Sequence, residues 1–321
     1  MNSKIHHELF EKKLLAKEQL DCIEEIESGR RISVLEDLRA LLYGGVLLFT
    51  GGVGILVYKN IGEIGHLVAI AVLILLNAGC FIYSFRKGPE YHHDVVEGPT
   101  PYFDYIVLLG SLLFISVQGY LQFQFDLLTE NLGVSTLISA VIFFYLAYRF
   151  DHMGVLSLGI TALASFFSIT ISPQKWYSSN FFEGPHLYLT AVIFGAVMAA
   201  GALLLDRRRI KLHFTFTYLN FALLIFFAGA VTGLFEEEQM MMGYVPLIYG
   251  GVAFAYWTAR QRRSFLFLLY AFVAAYIATT YLLAETLFRD AEVLWFYYSI
   301  LSCSGFVYFI VKYRNYFSRT S

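Results

Sequence analysis

The sequence has little charge, little proline and little cysteine for its length. Charged residues make up 15% of its 321 residues, and there are six prolines and three cysteines. The cysteines, Cys22, Cys80 and Cys303, show no spacing typical of a disulfide framework or a zinc site. So little charge, beside a hydrophobic content of 58%, excludes a soluble globular protein, because a chain of this length cannot bury so much apolar surface.

Signatures of catalysis are also missing. The sequence has no HExxH or GxSxG motif, no glycine-rich nucleotide-binding loop and no paired aspartates inside an apolar run. His92 and His93 stand beside Asp94, but the Pro- and Gly-bounded stretch around them favours an ordinary polar loop over a metal site. We therefore assign no catalytic residues, no metal and no cofactor.

Long apolar runs are what the sequence has instead. A helix needs about 20 apolar residues to cross a hydrocarbon core of roughly 30 Å. Ten runs come close to or reach this length, without the alternating pattern of a β-barrel, so we expect helices. The sequence predicts an all-α, polytopic transmembrane bundle of about ten spans, at residues 39–58, 66–85, 105–125, 132–150, 154–171, 186–205, 213–234, 244–259, 264–284 and 293–312.

Positive charge collects on alternate loops of this bundle. With ten spans, 20 of the 23 Lys and Arg residues fall on the side of both termini, and only Lys59, Lys175 and Arg289 fall on the other. Basic loops stay in the cytoplasm, so both termini are predicted to be cytoplasmic. The same rule explains the basic run at 206–213, and we expect no nucleic-acid partner. The external side carries ten acidic residues, an acidic rim.

The ends of the chain are polar. Residues 1–38 form a charged segment with an apolar stripe, which predicts cytoplasmic amphipathic helices that pack on the bundle, lie on the membrane surface or bind a cytoplasmic protein. This segment carries no long apolar run, so we expect the first span to direct insertion. Residues 39–313 are predicted to form the bundle, in contact with membrane lipids, and residues 314–321 a cytoplasmic tail.

The N-terminal region resembles a known family. "LLAKEQLDCIEEI" is followed by "LLYGGVLLFTGGVGILVYKNIGEIGHLVAIAVLILL", which places Asn60 just beyond a glycine-rich first span. Over about residues 10–85 the chain is similar to a bacterial predicted membrane protein family, domain of unknown function 2157. The resemblance implies a protein integral to the bacterial cytoplasmic (inner) membrane, and it brings no catalytic residues.

Polar residues form a stripe on the third span. Ser111 and Gln118 are seven residues apart, and Gln122 and Asp126 continue the same helix face. Such groups either hydrogen-bond neighbouring helices or line a pocket for a polar solute or a lipid headgroup. Asn77 in the second span and Asn220 in the seventh are further candidates for either role.

A second group of polar residues lies between the first two spans. The stretch "KNIGEIGH" places Lys59, Asn60, Glu63 and His66 in one external turn. Glu63 and His66 have the chemistry of an acid–base pair, although a polar loop at the headgroup level explains the same residues.

Three functions fit these observations. A transporter of a small polar solute fits the ten spans, which divide into five and five. A non-transporting sensor or scaffold, which couples the acidic rim to a cytoplasmic partner through the N-terminal helices, fits the lack of acidic residues inside the spans. A lipid-modifying membrane enzyme is the third alternative.

Overall fold

All regular secondary structure in the part of the chain described by the computed structural model is helical. That part comprises residues 35–64, 66–96, 98–125, 132–171, 185–236, 241–287 and 292–313, and it contains ten α-helices and no strand. The helices are α1 (Leu35–Ile64), α2 (His66–Lys87), α3 (Phe103–Phe125), α4 (Leu132–Phe150), α5 (Met153–Ile171), α6 (Pro185–Arg207), α7 (Phe214–Glu236), α8 (Met241–Arg262), α9 (Phe265–Thr286) and α10 (Glu292–Tyr313).

Each predicted apolar run lies on one of these helices. The largest difference is in α1, which has 30 residues and continues past the predicted end at residue 58 to Ile64. Lys59, Asn60 and Glu63 are therefore helical, and His66 opens α2, so the prediction of a single turn over 59–66 was wrong. The external position of these residues remains a prediction. The polar residues of KNIGEIGH did not end the helix because Lys and Glu are good helix formers.

Seven of the described helices are long and apolar enough to cross a membrane, namely α2 to α7 and α9. In α1 the apolar stretch found is shorter, Ala40–Gly52. The sequences of α8 and α10 are rich in tyrosine, with several glycines or serines, and these residues are less apolar than the Leu and Ile of the other helices. The class of fold is confirmed, while ten spans with both termini on one side remain a prediction.

The chain divides into two compact units, Met1–Leu75 and Leu76–Ser321. The described part of the first unit comprises α1 and the start of α2. In the second unit α4 packs on α5, α6 packs on α7, and α7 also contacts α5, α8 and α9. The fully buried Leu219 and Leu234 of α7, Ile248 of α8 and Phe267 of α9 lie in one hydrophobic cluster. Helix α7 is thus the centre of this unit.

Three helices of the second unit end in the same tight turn. Asp151, Arg209 and Arg263 each adopt a left-handed conformation, with φ of 59°, 54° and 49°, directly after α4, near the end of α6 and after α8. The next backbone N–H in each case donates to a carbonyl five residues earlier: His152 to Ala147, Ile210 to Leu205 and Ser264 to Ala259, all at 3.1 Å. Glycine usually occupies this position. These turns keep the following helix close to the one that has ended.

Candidate functional site

Gln118 and Gln122 of α3 are hydrogen-bonded to α4. The Gln118 side-chain nitrogen donates to the Ser135 carbonyl at 2.7 Å and also contacts the Ser135 hydroxyl. The Ser139 hydroxyl donates to the Gln118 side-chain oxygen, and the Gln122 nitrogen donates to the Ser135 hydroxyl. Two of the predicted pocket residues therefore come together, and both are bonded to serines of the neighbouring helix.

The other predicted pocket residues within the described part of the chain have different partners. Ser111 is buried and donates to the Val107 carbonyl of its own helix at 2.9 Å. Asn77 of α2 donates to the Gly110 carbonyl of α3 at 2.7 Å, and Asn220 of α7 accepts from the Tyr270 hydroxyl of α9 at 2.8 Å. Each of these asparagines joins a different pair of helices. Asp126 lies outside the described residues, as do the side chains of Lys59, Asn60, Glu63 and His66.

A buried ionic cluster lies where three loops of the second unit meet. One carboxylate oxygen of Asp151 is 3.1 Å from the Lys211 ammonium and 2.6 Å from His213 Nε2. The other oxygen accepts from the Val96 backbone N–H at 2.7 Å. The side chains of Asp151 and Lys211 are 2% and 1% exposed, and that of His213 is 14% exposed. We call these three residues the ionic knot.

Lys211 extends the ionic knot into the loop at 88–102. Its ammonium donates to the Asp94 carbonyl at 3.1 Å and lies 5.4 Å from the centre of the Tyr91 ring. Its backbone N–H donates to the His93 carbonyl at 3.2 Å. The loops at 88–102, 151–152 and 208–213 are thereby tied together, and we call this side of the second unit the basic end.

The ionic knot is held in a strained backbone. Lys211, like Asp151, has a positive φ, 46°, which costs a non-glycine residue of the order of 1–3 kcal/mol. Removing a carboxylate and an ammonium from water is also costly, and only the mutual attraction and the further hydrogen bonds offset it. A structure retains such an arrangement when the surrounding contacts require it.

Among the described residues, no group of three or more His, Cys, Asp or Glu side chains could hold a metal ion.

His152 is a second buried polar group at the basic end. Its Nε2 lies 2.9 Å from the Asp104 carbonyl, and its Nδ1 accepts from the Val155 backbone N–H at 3.1 Å. Since Nδ1 is an acceptor, the proton lies on Nε2 and the ring is neutral. His152 thus caps the start of α5 and attaches it to the start of α3. Burial lowers the pKa of His152 below its ordinary value of 6.5, and the carboxylates of Asp104 and Asp151 act in the opposite direction.

We expect the stability of the protein to fall in mild acid because of His152. A lowered pKa in the folded state means that the unfolded chain binds more protons, so stability is present above the ordinary value of about 6.5 and is lost as pH falls below it. The slope reaches at most about 1.4 kcal/mol per pH unit for one group. Thermal unfolding in detergent between pH 7.5 and 5.5 measures it. His152→Asn retains a capping oxygen, and we expect a smaller pH dependence in this variant; an unchanged dependence would contradict the assignment.

The ionic knot is absent from the sequence-based predictions. The sequence pattern assigns Lys211 only to the basic run at 206–213, which marks topology, and it gives Asp151 no role. One signal was available, since Asp151 and His152 are the polar residues of a very short connection between two apolar runs. The sequence does not show that Lys211 and His213 reach the same place.

One family of known sequences matches the N-terminal part of the chain. Residues 7–156 match the model of a family described as predicted membrane protein (DUF2157). This confirms the resemblance noted over residues 10–85 and extends it through α4 to the first residues of α5. The matched stretch includes Asp151 and His152 but ends before Lys211. No curated protein and no solved structure matches the chain. The protein is therefore membrane-embedded and similar to a family of predicted membrane proteins.

Proposed function

We propose that the protein is a non-transporting component of the bacterial inner membrane, a sensor or scaffold that acts on a cytoplasmic partner. The observation that supports this proposal is that amide side chains within the apolar helices form hydrogen bonds to neighbouring helices. Gln118 and Gln122 are bonded to α4, and Asn77 and Asn220 each bond a neighbouring helix. Side chains of a solute pathway keep donors and acceptors available for the solute, whereas these hold helices together.

The basic end supports the same proposal. The ionic knot fixes three loops to one another, which gives a surface of defined shape rather than a set of independent loops. In the topology proposed from the distribution of Lys and Arg, this surface faces the cytoplasm, where a cytoplasmic partner could reach it.

Labelling of Gln118→Cys separates this proposal from the transporter hypothesis. Cys22, Cys80 and Cys303 are replaced by alanine, and a membrane-impermeant thiol reagent is applied to intact cells and to inverted vesicles. We expect no reaction at position 118 from either side, because its side chain faces α4. His92→Cys, an exposed position in the loop at 88–102, is the control and should react only in inverted vesicles.

The other outcomes of this experiment are equally informative. Reaction at position 118 from both sides would overturn the proposal in favour of an alternating-access transporter. Reaction of His92→Cys in intact cells would reverse the proposed orientation.

A photo-crosslinking residue at Leu15 tests whether residues 1–38 bind a cytoplasmic protein, and we expect one defined protein adduct. A chain that forms adducts with lipid alone would remove the role of residues 1–38 in binding a partner.

A further inference from the structure

An apolar cavity of about 440 Å³ lies between α6, α7 and α8. Two glycines in its lining allow the helices around it to approach closely. A Cβ atom at Gly195 would lie 2.7 Å from the Ala222 carbonyl oxygen, and one at Gly251 would lie 2.4 Å from the Phe226 ring. Gly250 differs, because a Cβ there meets no atom within 4 Å and would point into free space. Its lining includes Gly195, Ala196, Ala200 and Leu203 of α6 and Gly250 and Phe254 of α8.

The cavity extends along α6 toward three arginines. Ala196, Ala200, Leu203 and Arg207 follow one another at intervals of four, three and four residues, which places them on one stripe of the helix. Arg207 is one turn beyond Leu203, about 6 Å along the axis. Arg207, Arg208 and Arg209 are exposed.

Asp206, the acidic residue next to Arg207, does not neutralise the three arginines. Asp206 pairs with Arg262 of α8 at 2.7 Å, so its carboxylate is already matched by a different arginine. On α8, Gln261 is seven residues after the cavity-lining Phe254 and is also exposed, which brings an amide to the same end of the cavity. The helix faces that line the cavity therefore lead to exposed hydrogen-bond donors, Arg207 on α6 and Gln261 on α8, and Arg208 and Arg209 follow directly after Arg207.

We propose that this cavity and Arg207–Arg209 bind one anionic phospholipid of the surrounding leaflet. The acyl chain fills the apolar cavity, and the phosphate lies against the guanidinium groups of Arg207–Arg209. We infer a lipid as the occupant because the lining is apolar and because α6 and α7 are candidate membrane spans, whose surroundings in a bilayer are acyl chains. Arginine suits the phosphate, since its planar guanidinium donates two parallel hydrogen bonds. This site does not depend on the function proposed above.

Lipid competition in bilayer discs tests the site. The intact protein is placed in discs of equal parts phosphatidylglycerol and phosphatidylcholine, extracted gently, and weighed with its retained lipid by native mass spectrometry. We expect one phosphatidylglycerol molecule to be retained in preference to phosphatidylcholine. Arg207→Gln should weaken phosphatidylglycerol retention about fivefold and leave phosphatidylcholine unchanged, as expected for one basic residue at a membrane surface. Arg260→Gln is the matched control, because Arg260 is exposed at the same end but lies against Tyr256.

A substitution inside the cavity tests the acyl-chain half of the proposal. Gly250→Leu fills free space without a clash, and we expect it to weaken retention of both lipids about tenfold, since roughly two methylene groups of contact are displaced. Gly201→Leu is its control on α6, at another glycine whose Cβ meets no atom within 4 Å and which does not line the cavity. Equal retention of the two lipids, with no effect of Arg207→Gln or Gly250→Leu, would overturn the proposal.

Discussion

Asp151→Asn is expected to destabilise the folded protein by about 3–5 kcal/mol, the usual cost of removing one partner from a buried ion pair. Asparagine tolerates the left-handed conformation that Asp151 adopts, so the substitution removes the charge with little change in backbone strain. Lys211, whose side chain is 1% exposed, would remain buried without its carboxylate. Thermal or denaturant unfolding in detergent micelles measures the loss.

A second substitution shows whether the loss comes from the uncompensated charge. Lys211→Met in the Asp151→Asn background removes that charge and preserves a long apolar side chain, so we expect at least half of the lost stability to return. Lys211→Met alone should also destabilise, because it leaves Asp151 with His213 and the Val96 N–H as its remaining partners. A single Asp151→Asn variant as stable as the parent would contradict the burial of the pair.

The second large effect is expected at Gly195, where α6 crosses α7. In Gly195→Leu the new Cβ would lie 2.7 Å from the Ala222 carbonyl oxygen and 2.8 Å from the Phe226 amide nitrogen. Both atoms belong to the backbone of α7 and cannot turn away as a side chain does. We expect the helices to be forced apart at a cost of about 3 kcal/mol or more. The yield of monodisperse protein after detergent extraction, and its unfolding temperature, measure this.

Gly201→Leu is the matched control on the same helix. A Cβ at Gly201 meets no atom within 4 Å, and glycine in the middle of a helix costs about 1 kcal/mol relative to a good helix former. We therefore expect this variant to be unchanged or slightly stabilised. Equal losses at both positions would show that glycine is needed in α6 for a reason other than the crossing with α7.

Together these experiments ask how the second unit is held together. At Gly195 the helices are held together by close packing of their backbones. Such packing is a main source of helix association in a membrane, because lipid is as apolar as the helices and removes the hydrophobic effect between them. At the basic end the loops are held together by ion pairs and hydrogen bonds, because their buried polar groups must find partners. Both kinds of contact hold the helices of this unit in a fixed arrangement.

The polar candidates show how far sequence can reach in a membrane protein. The prediction that Gln118 and Gln122 share one helix face follows from helical spacing alone, and the structure places both against Ser135. Spacing does not reveal whether the neighbour on that face is water, lipid or a serine. The choice between pocket and interhelical bond depended on which helix lies opposite, and this is set by packing.

The sequence by itself determined the class of fold and the position of its helices. A run of about 20 apolar residues has one stable form in a bilayer, because every backbone N–H and C=O must be satisfied within the segment. This local constraint is why all ten apolar runs coincide with helices, from α1 to α10.

Only the tertiary structure decided what the buried polar groups contact. Asp151 meets Lys211 and His213 across sixty residues of chain, and Lys211 in turn contacts the backbone of the loop at 88–102. Such pairings depend on the order in which helices pack and on where each turn ends. The spacing of residues along one helix contains neither the order of helix packing nor the end of each turn. The ionic knot and the cavity beside Arg207 could therefore be found only in the three-dimensional structure.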